Sequence, residues 1–200
     1  INAVKNILLE AQNDKTAKAG SVKRRIGDFY AAGMDSMGIE KLGASPILPE
    51  LAKVASATSL EDIISEAAVM RTQGLGSPLF SFYVGQDRKE ATKLIAQLGQ
   101  GGTTLPDRDY YLKADARTLK IQDAYKKYIT QLFVLSGIMD ELAKKNAETI
   151  FVIEKALATA QMSRVEMRDP YKTYNKFSVA DFSKTTSNMN WATLLPKMKV

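Results

Sequence analysis

Two consecutive stretches in the middle of the chain carry apolar residues at helical spacing, and this pattern limits the fold more than any other feature. Gly137 separates the two predicted helices. The stripe of the first consists of Ile121, Tyr125, Tyr128, Leu132 and Leu135. The second helix is expected over about 140–164, with a stripe of Ala143, Ala147, Ile150, Ile153, Leu157 and Ala160. Long stripes of this kind bury against partners in an antiparallel helical packing.

The other predicted helices are short. Ser59 begins one of them in a capping-box pattern, because its hydroxyl can accept from the backbone N–H three residues on. Ser178 begins another in the same way. The remaining helical segments lie at 3–13, 47–55 and 190–197, and an amphipathic segment carries Val22, Ile26, Phe29, Gly33 and Met37 at near-helical spacing.

One segment changes to the alternation of a strand. Residues 79–84 are aromatic and β-rich, and Gly85-Gln86-Asp87 can turn the chain. Residues 93–98 are the expected partner strand, although their pattern also suits a helix. We therefore predict a mainly α fold, a single helical domain over 1–200. It has two long antiparallel helices, several short helices and one small β-hairpin at about 79–98.

The chain contains neither histidine nor cysteine. A hydroxyl nucleophile therefore lacks its usual imidazole base, and zinc lacks its commonest ligands. A metal site would need oxygen ligands alone, which favours Ca²⁺ or Mg²⁺. The carboxylate pairs Asp107/Asp109 and Asp14/Asp28 show no sign of a cleft around them. We expect no catalytic, cofactor-binding or metal-binding residue in this chain.

The glycine run at 99–102 does not match a phosphate-binding loop. A dinucleotide fingerprint needs glycine where Thr104 stands, and no Lys-Ser/Thr pair follows for a P-loop. We expect Gly101 and Gly102 only to relax the chain between a strand and a rigid segment.

The net charge of +6 suggests an anionic partner, but lysine and arginine alternate with acids along most of the predicted helices. This is the pattern of solvated helix faces, so no nucleic-acid partner is expected. The longest apolar runs fall short of the roughly 18–20 residues needed to cross a bilayer, so no membrane span is expected in this chain.

Four segments resemble motifs of one family in the same order. They are SPLFSFYVGQDRK (77–89), TLPDRDYYL (104–112), VIEKALATAQMSRVEMRDPYKTYNKFSVADF (152–182) and NWATLLPKM (190–198). The chain is similar over about 20–198 to the N-terminal region of the neprilysin / endothelin-converting-enzyme / PepO family of zinc metallopeptidases.

The resemblance implies a helical cap domain of a longer enzyme. In that family the cap covers a thermolysin-like catalytic domain around a closed chamber, which limits substrates to peptides. Zinc would belong to the parent protein and its C-terminal catalytic domain, which is not in this chain. The chain alone would be inactive and would pack on that domain. The alternative is a free-standing helical binding module for an acidic partner, since the second half is the more basic.

The resemblance also implies a source and a compartment. Lack of cysteine departs from the disulfide-rich animal members and favours a bacterial source. The expected compartment is the bacterial cell envelope or periplasm, with the cytoplasm as the alternative.

The motif residues have two possible roles. Pro106 fixes its own φ, Arg108 offers a planar five-donor fork, and Asp109 can cap the turn that follows. These properties favour a rigid corner over the alternative, in which Arg108 or a tyrosine faces the chamber and touches peptide. The residues concerned are Leu105, Pro106, Arg108, Asp109, Tyr110, Tyr111, Arg168, Asp169, Tyr174 and Asn175.

Overall fold

A computed structural model describes residues 2–76 and 78–199 of the chain, and these residues form a mainly helical structure. Their helices are α1 (Asn2–Asn13), α2 (Val22–Met34), α3 (Ser36–Leu42), α4 (Leu48–Ala55), α5 (Leu60–Thr72), α6 (Asp109–Leu112), α7 (Ala116–Leu135), α8 (Asp140–Ala160), α9 (Val179–Thr185) and α10 (Trp191–Lys197). The strands are β1 (Phe80–Asp87) and β2 (Glu90–Gln100). The predicted mainly α class, with two long antiparallel helices and one hairpin, is confirmed.

The chain divides into two compact units, residues 1–49 and 50–200. That both belong to a single domain stays a prediction. In the first unit, α2 crosses α1 closely at Gly27. A Cβ at this position would collide with the carbonyl of Ala11, so glycine permits the close approach. The amphipathic segment that starts at Val22 is not one helix. It breaks at Asp35, whose carboxylate caps α3 by accepting from the backbone N–H of Gly38.

One core of the second unit lies between α5, β1 and α10. Arg71 on α5 ties the three elements together, since its guanidinium donates to the carbonyls of Phe82 (3.3 Å) and Met198 (3.2 Å). It also stacks 4.4 Å above the Phe82 ring. The buried members are Ile64, Ala68, Phe82, Trp191, Leu194 and Met198.

The hairpin is longer than expected. Its strands are antiparallel, with Val84 opposite Ala96, and residues 93–98 are strand rather than helix. The sequence predicts a turn at Gly85-Gln86-Asp87, but these residues belong to β1. The turn comes at Arg88 and Lys89, because the Asp87 carboxylate accepts from the backbone N–H of Lys89 (2.9 Å) and fixes the bend there.

A second core lies between α6, α7 and α8. Its buried members are Tyr111, Tyr125, Ile129, Ala147, Phe151 and Ala158. Helix α8 ends at Ala160, four residues before the expected Arg164. Gln161 has extended backbone there, and its side-chain amide donates to the carbonyl of Gly101 (2.9 Å), which fixes the chain in a new direction.

The buried faces of the long helices differ from the predicted stripes. On α8, Ile153 and Ala160 are exposed, whereas Phe151 and Glu154 are buried. On α7, three of the five predicted residues are exposed: Tyr128, Leu132 and Leu135. The contact between the two helices uses a neighbouring face of each: Tyr125 and Ile129 of α7 pack with Ala147 and Phe151 of α8, and Tyr111 of α6 joins this cluster.

Candidate functional site

A buried carboxylate, Glu154, lies at the centre of the α6–α8 core. Its Oε2 accepts hydrogen bonds from the phenols of Tyr111 and Tyr125, each at 2.8 Å. Its Oε1 accepts from the hydroxyl (2.8 Å) and the backbone N–H (3.2 Å) of Thr104. Four donors thus satisfy a group that would be costly to bury alone.

The segment before α6 folds back onto its own helix. The backbone N–H of Leu105 donates to the hydroxyl of Tyr111 (2.8 Å), which then donates to Glu154. The guanidinium of Arg108 donates to the carbonyl of Gln161, just past the end of α8. This segment is therefore attached to α8 at two places.

The remaining residues of this motif lie nearer the surface. The sequence predicts that Asp109 caps the turn that follows, but it does not. It is the first residue of α6, and its carboxylate pairs with Lys113 (2.7 Å). The carboxylate of Asp107, just before the helix, accepts from the Asp109 N–H (2.8 Å). Tyr110 is half-buried, its carbonyl accepts from Gln122 (2.8 Å), and Pro106 is exposed.

A second buried carboxylate, Asp87, is 1% exposed at the end of β1. Its Oδ1 accepts from the Tyr174 phenol (2.8 Å), and its Oδ2 accepts from the Lys176 ammonium (2.6 Å). The neighbouring Arg88 donates to the hydroxyl of Thr173 (3.0 Å) and also to its carbonyl. We call this group the Asp87 latch, and it fastens the hairpin tip to residues 173–176.

The other predicted site residues shape the loop before the latch. Asp169 accepts from the backbone N–H of Tyr171 (2.9 Å), which turns the chain after a short 3-10 helix that ends at Arg168. Asn175 donates to the carbonyl of Lys172 (2.9 Å). Arg168 and Asn175 are exposed. Of this group, Tyr174 alone reaches a buried partner.

The glycine run does more than relax the chain. A Cβ on Gly101 would lie 2.9–3.0 Å from backbone atoms of Phe80 and Ser81. Gly102 has φ +76° in the left-handed region, and a Cβ there would lie 2.8 Å from Leu157 Cδ1. These glycines let the end of the hairpin approach β1 and α8 closely.

The environment shifts the pKa of several of these groups. The hydrogen bond from Lys176 holds the pKa of Asp87 well below its usual range. Burial raises the pKa of Tyr111, and burial also raises the pKa of Tyr125 to about 12. The hydrogen bond to Asp87 raises the pKa of Tyr174. These phenols therefore stay protonated and act as donors at neutral pH.

The geometry does not fit a zinc site. Among the described residues, no three Asp or Glu side chains are arranged to hold a metal ion. The carboxylates considered as pairs each have a cationic neighbour instead: Asp14 with Lys23, Asp28 with Arg24, Asp107 with Arg164 and Asp109 with Lys113. What the two buried carboxylates do here is fix loops and helices in place.

Sequence reasoning missed both buried carboxylates, and it missed Lys176, the partner of Asp87. Glu154 lies seven positions after Ala147 and four before Ala158, on the same line of the helix, and this position of an acid among apolar residues was the available signal. Asp87 and Lys176 stood inside the quoted motifs 77–89 and 152–182. Sequence alone gave no sign that those two motifs meet.

The fold and the joined motifs define a class of protein. The sequence profile described as Peptidase family M13 matches residues 1–200, so the chain belongs to peptidase family M13 and corresponds to its N-terminal region. The resemblance drawn from the motifs is confirmed.

Individual relatives agree with this assignment. Endothelin-converting enzyme 1 of Cavia porcellus is 28% identical over 195 residues, 94% of this chain and 26% of that protein. A crystal structure of Mycobacterium tuberculosis zinc metalloprotease Zmp1 with an inhibitor matches at TM-score 0.88 and 27% identity, over 98% of this chain and 30% of that one. A cryo-EM structure of Zmp1 in an open state matches at TM-score 0.86 and 27% identity, with the same coverage.

The chain thus spans about a quarter of the length of the curated relative it matches. In the described parts, 2–76 and 78–199, no helix has the length and apolarity needed to cross a membrane.

Proposed function

We propose that this chain is the cap region of a longer zinc metalloendopeptidase, here called the parent protein, and that it restricts access to a catalytic site carried elsewhere in the parent. The observation that carries the proposal is the match to Zmp1, over nearly the whole of this chain but only 30% of that protease. The absence of histidine and cysteine from the sequence agrees with a role outside the chemistry.

The parent would hydrolyse peptide bonds in oligopeptides, and zinc would supply Lewis-acid activation when bound to the catalytic part. No residue of this chain takes a chemical step in the proposal. The contribution of the chain is a rigid wall, in which the Glu154 core and the Asp87 latch hold loops that would otherwise move. The motif residues from Leu105 to Tyr111 serve that rigid structure rather than contact with substrate.

Access control requires opening as well as closure. One Zmp1 structure is described as an inhibitor complex and another as an open state. We propose that the parent opens in the same sense, by movement of this cap region, to admit a peptide. The free-standing binding module is not favoured, since the chain belongs to a peptidase family.

The proposed compartment is the bacterial cell envelope, with the cytoplasm as the alternative. A relative from Mycobacterium tuberculosis and the lack of cysteine support a bacterial source. Fractionation of the source cells, with immunodetection of the parent, decides between the two compartments.

Size selection gives the direct test. One scissile sequence is presented to the purified parent in a short peptide and within an exposed loop of a stable folded protein. We expect zinc-dependent cleavage of the peptide and at least about a hundredfold lower kcat/KM for the protein, because a closed chamber excludes it. Equal values for the two substrates would remove the cap role while leaving the peptidase assignment standing.

A further inference from the structure

The two long helices leave one broad side uncovered. Tyr128, Leu132 and Leu135 are 55%, 45% and 67% exposed on α7, and Leu142 and Ile153 are 45% and 55% exposed on α8. The spacings four and three place the α7 residues on one side of their helix. Together with Thr149 these residues form what we call the uncharged face: Tyr128, Leu132, Leu135, Leu142, Thr149 and Ile153.

Both halves of this face lie on the same side of the helical pair. The Lys126–Glu148 ion pair (2.8 Å) joins α7 to α8 across one side of the pair. At 100° per residue, Tyr128 and Leu135 lie about 180–200° around α7 from Lys126. On the same basis Leu142 and Ile153 lie about 120–140° around α8 from Glu148. Because the two helices run antiparallel, the α7 and α8 members of the face both lie on the side of the pair opposite the Lys126–Glu148 ion pair.

The distribution of charge distinguishes this face from ordinary surface. A quarter of the chain is charged, yet the residues three and four positions from the members of the face, which are their neighbours on the helix surface, include a single charged residue, Lys145. Loss of charge beside exposed aromatic and aliphatic side chains is typical of the centre of a protein interface.

We propose that the uncharged face is a docking surface for an apolar, uncharged part of the rest of the parent's own polypeptide. This inference rests on the proposed function. The Zmp1 chain that this fold matches has 70% of its length outside the match, so such a parent would supply more than twice as much further polypeptide. Tethered polypeptide is present at a high effective concentration. A second copy is the weaker candidate, because each chain carries a net charge of +6 and two would repel.

Single cysteines test the burial of the face, since this chain has no cysteine of its own. Two face variants, Ile153→Cys and Leu132→Cys, are made in the parent. Each has a matched control on the same helix: Val152→Cys and Val134→Cys, at wild-type exposures of 64% and 43% against 55% and 45%. The rate of thiol alkylation at each site is measured by peptide mass spectrometry, in native buffer and in urea.

We expect the face variants to be labelled at least about tenfold more slowly than their controls in native parent, and equally fast in urea. Equal rates in native buffer would overturn the proposal. Protection that disappears on dilution, together with dissociation of a dimer in sedimentation, would also overturn it by identifying a second copy as the occupant.

Peptide cleavage by the wild-type parent is measured alongside. Cleavage with an unprotected face would reject this inference and leave the proposed function standing. A protected face in a parent that cleaves no peptide would support this inference and reject the proposed function.

Discussion

Tyr174 donates a hydrogen bond of 2.8 Å from its phenol to Oδ1 of Asp87, although the two residues are 87 positions apart in the chain. The contact joins the end of β1 to the loop before α9. Because the ammonium of Lys176 occupies the other oxygen, the Asp87 carboxylate is buried and fully paired. The hairpin therefore cannot swing freely from the helices that follow it.

Asp87→Asn tests the latch. The amide keeps the shape of the side chain but removes the charge that holds Lys176, so we expect a lower urea midpoint of unfolding. Hydrogen exchange at residues 88–90 and 173–176 should become faster. The control is Asp123→Asn, the same change in the exposed Lys127–Asp123 pair on α7, which should leave the midpoint unchanged. Equal effects of the two variants on the urea midpoint would contradict the claim that the Asp87 latch stabilises the fold.

Acid should remove the contribution of the latch. The pKa of Asp87 is lower in the folded chain than in the unfolded one, where it is about 3.9. The stabilisation is therefore fully present above about pH 5 and falls as the pH drops below about 4. The difference in free energy of unfolding between wild type and Asp87→Asn should be flat from pH 7 to 5 and shrink below 4. A difference that grows in acid would be inconsistent with this sign.

Glu154→Gln tests the α6–α8 core. Tyr111 and Tyr125 donate to one oxygen of this carboxylate and Thr104 donates to the other. The glutamine amide has a single accepting oxygen, so it can serve the phenols or Thr104 but not both. We expect a loss of about 3 kcal/mol in the free energy of unfolding, measured by urea titration. Glu148→Gln is the control on α8. Its side chain is 59% exposed in the pair with Lys126, so its loss should stay below about 1 kcal/mol.

Two glycines with positive φ separate backbone strain from crowding. Gly102 (φ +76°) and Gly137 (φ +91°) both resist an L side chain, but only at Gly102 would a Cβ meet Leu157 and the carbonyl of Leu79. Gly137→Ala should cost about 1 kcal/mol of stability and Gly102→Ala about 2–4 kcal/mol, by thermal and urea unfolding. Equal costs would show that the approach of the hairpin end to α8 is not tight.

Local chemistry made much of this fold predictable. Ser59 and Ser178 both begin helices by accepting from the N–H three residues on, as their spacing indicated. The aromatic and β-rich composition of 79–84 indicated a strand, and β1 begins at Phe80. These signals act over a few residues, so neighbouring side chains are enough to reveal them.

Tertiary packing decided the features that sequence could not supply. The stripes of α7 and α8 identified helices correctly, but the contact between the two helices buries a neighbouring face, and Ile153 stayed outside it. Glu154 and Asp87 were missed because their donors come from distant segments, and an acid on a helix or at a strand end is usually solvated. Spacing along one segment cannot show which remote phenol or ammonium will arrive.

The central claim is that this chain shapes access to a zinc peptidase whose chemistry lies outside it. The measurement that tests it most directly compares the purified 200-residue chain with the parent, for bound zinc and for cleavage of a fluorogenic oligopeptide with and without chelator. We predict no stoichiometric zinc and no cleavage for the chain, and chelator-sensitive cleavage for the parent. Zinc-dependent cleavage by the chain alone would contradict the account.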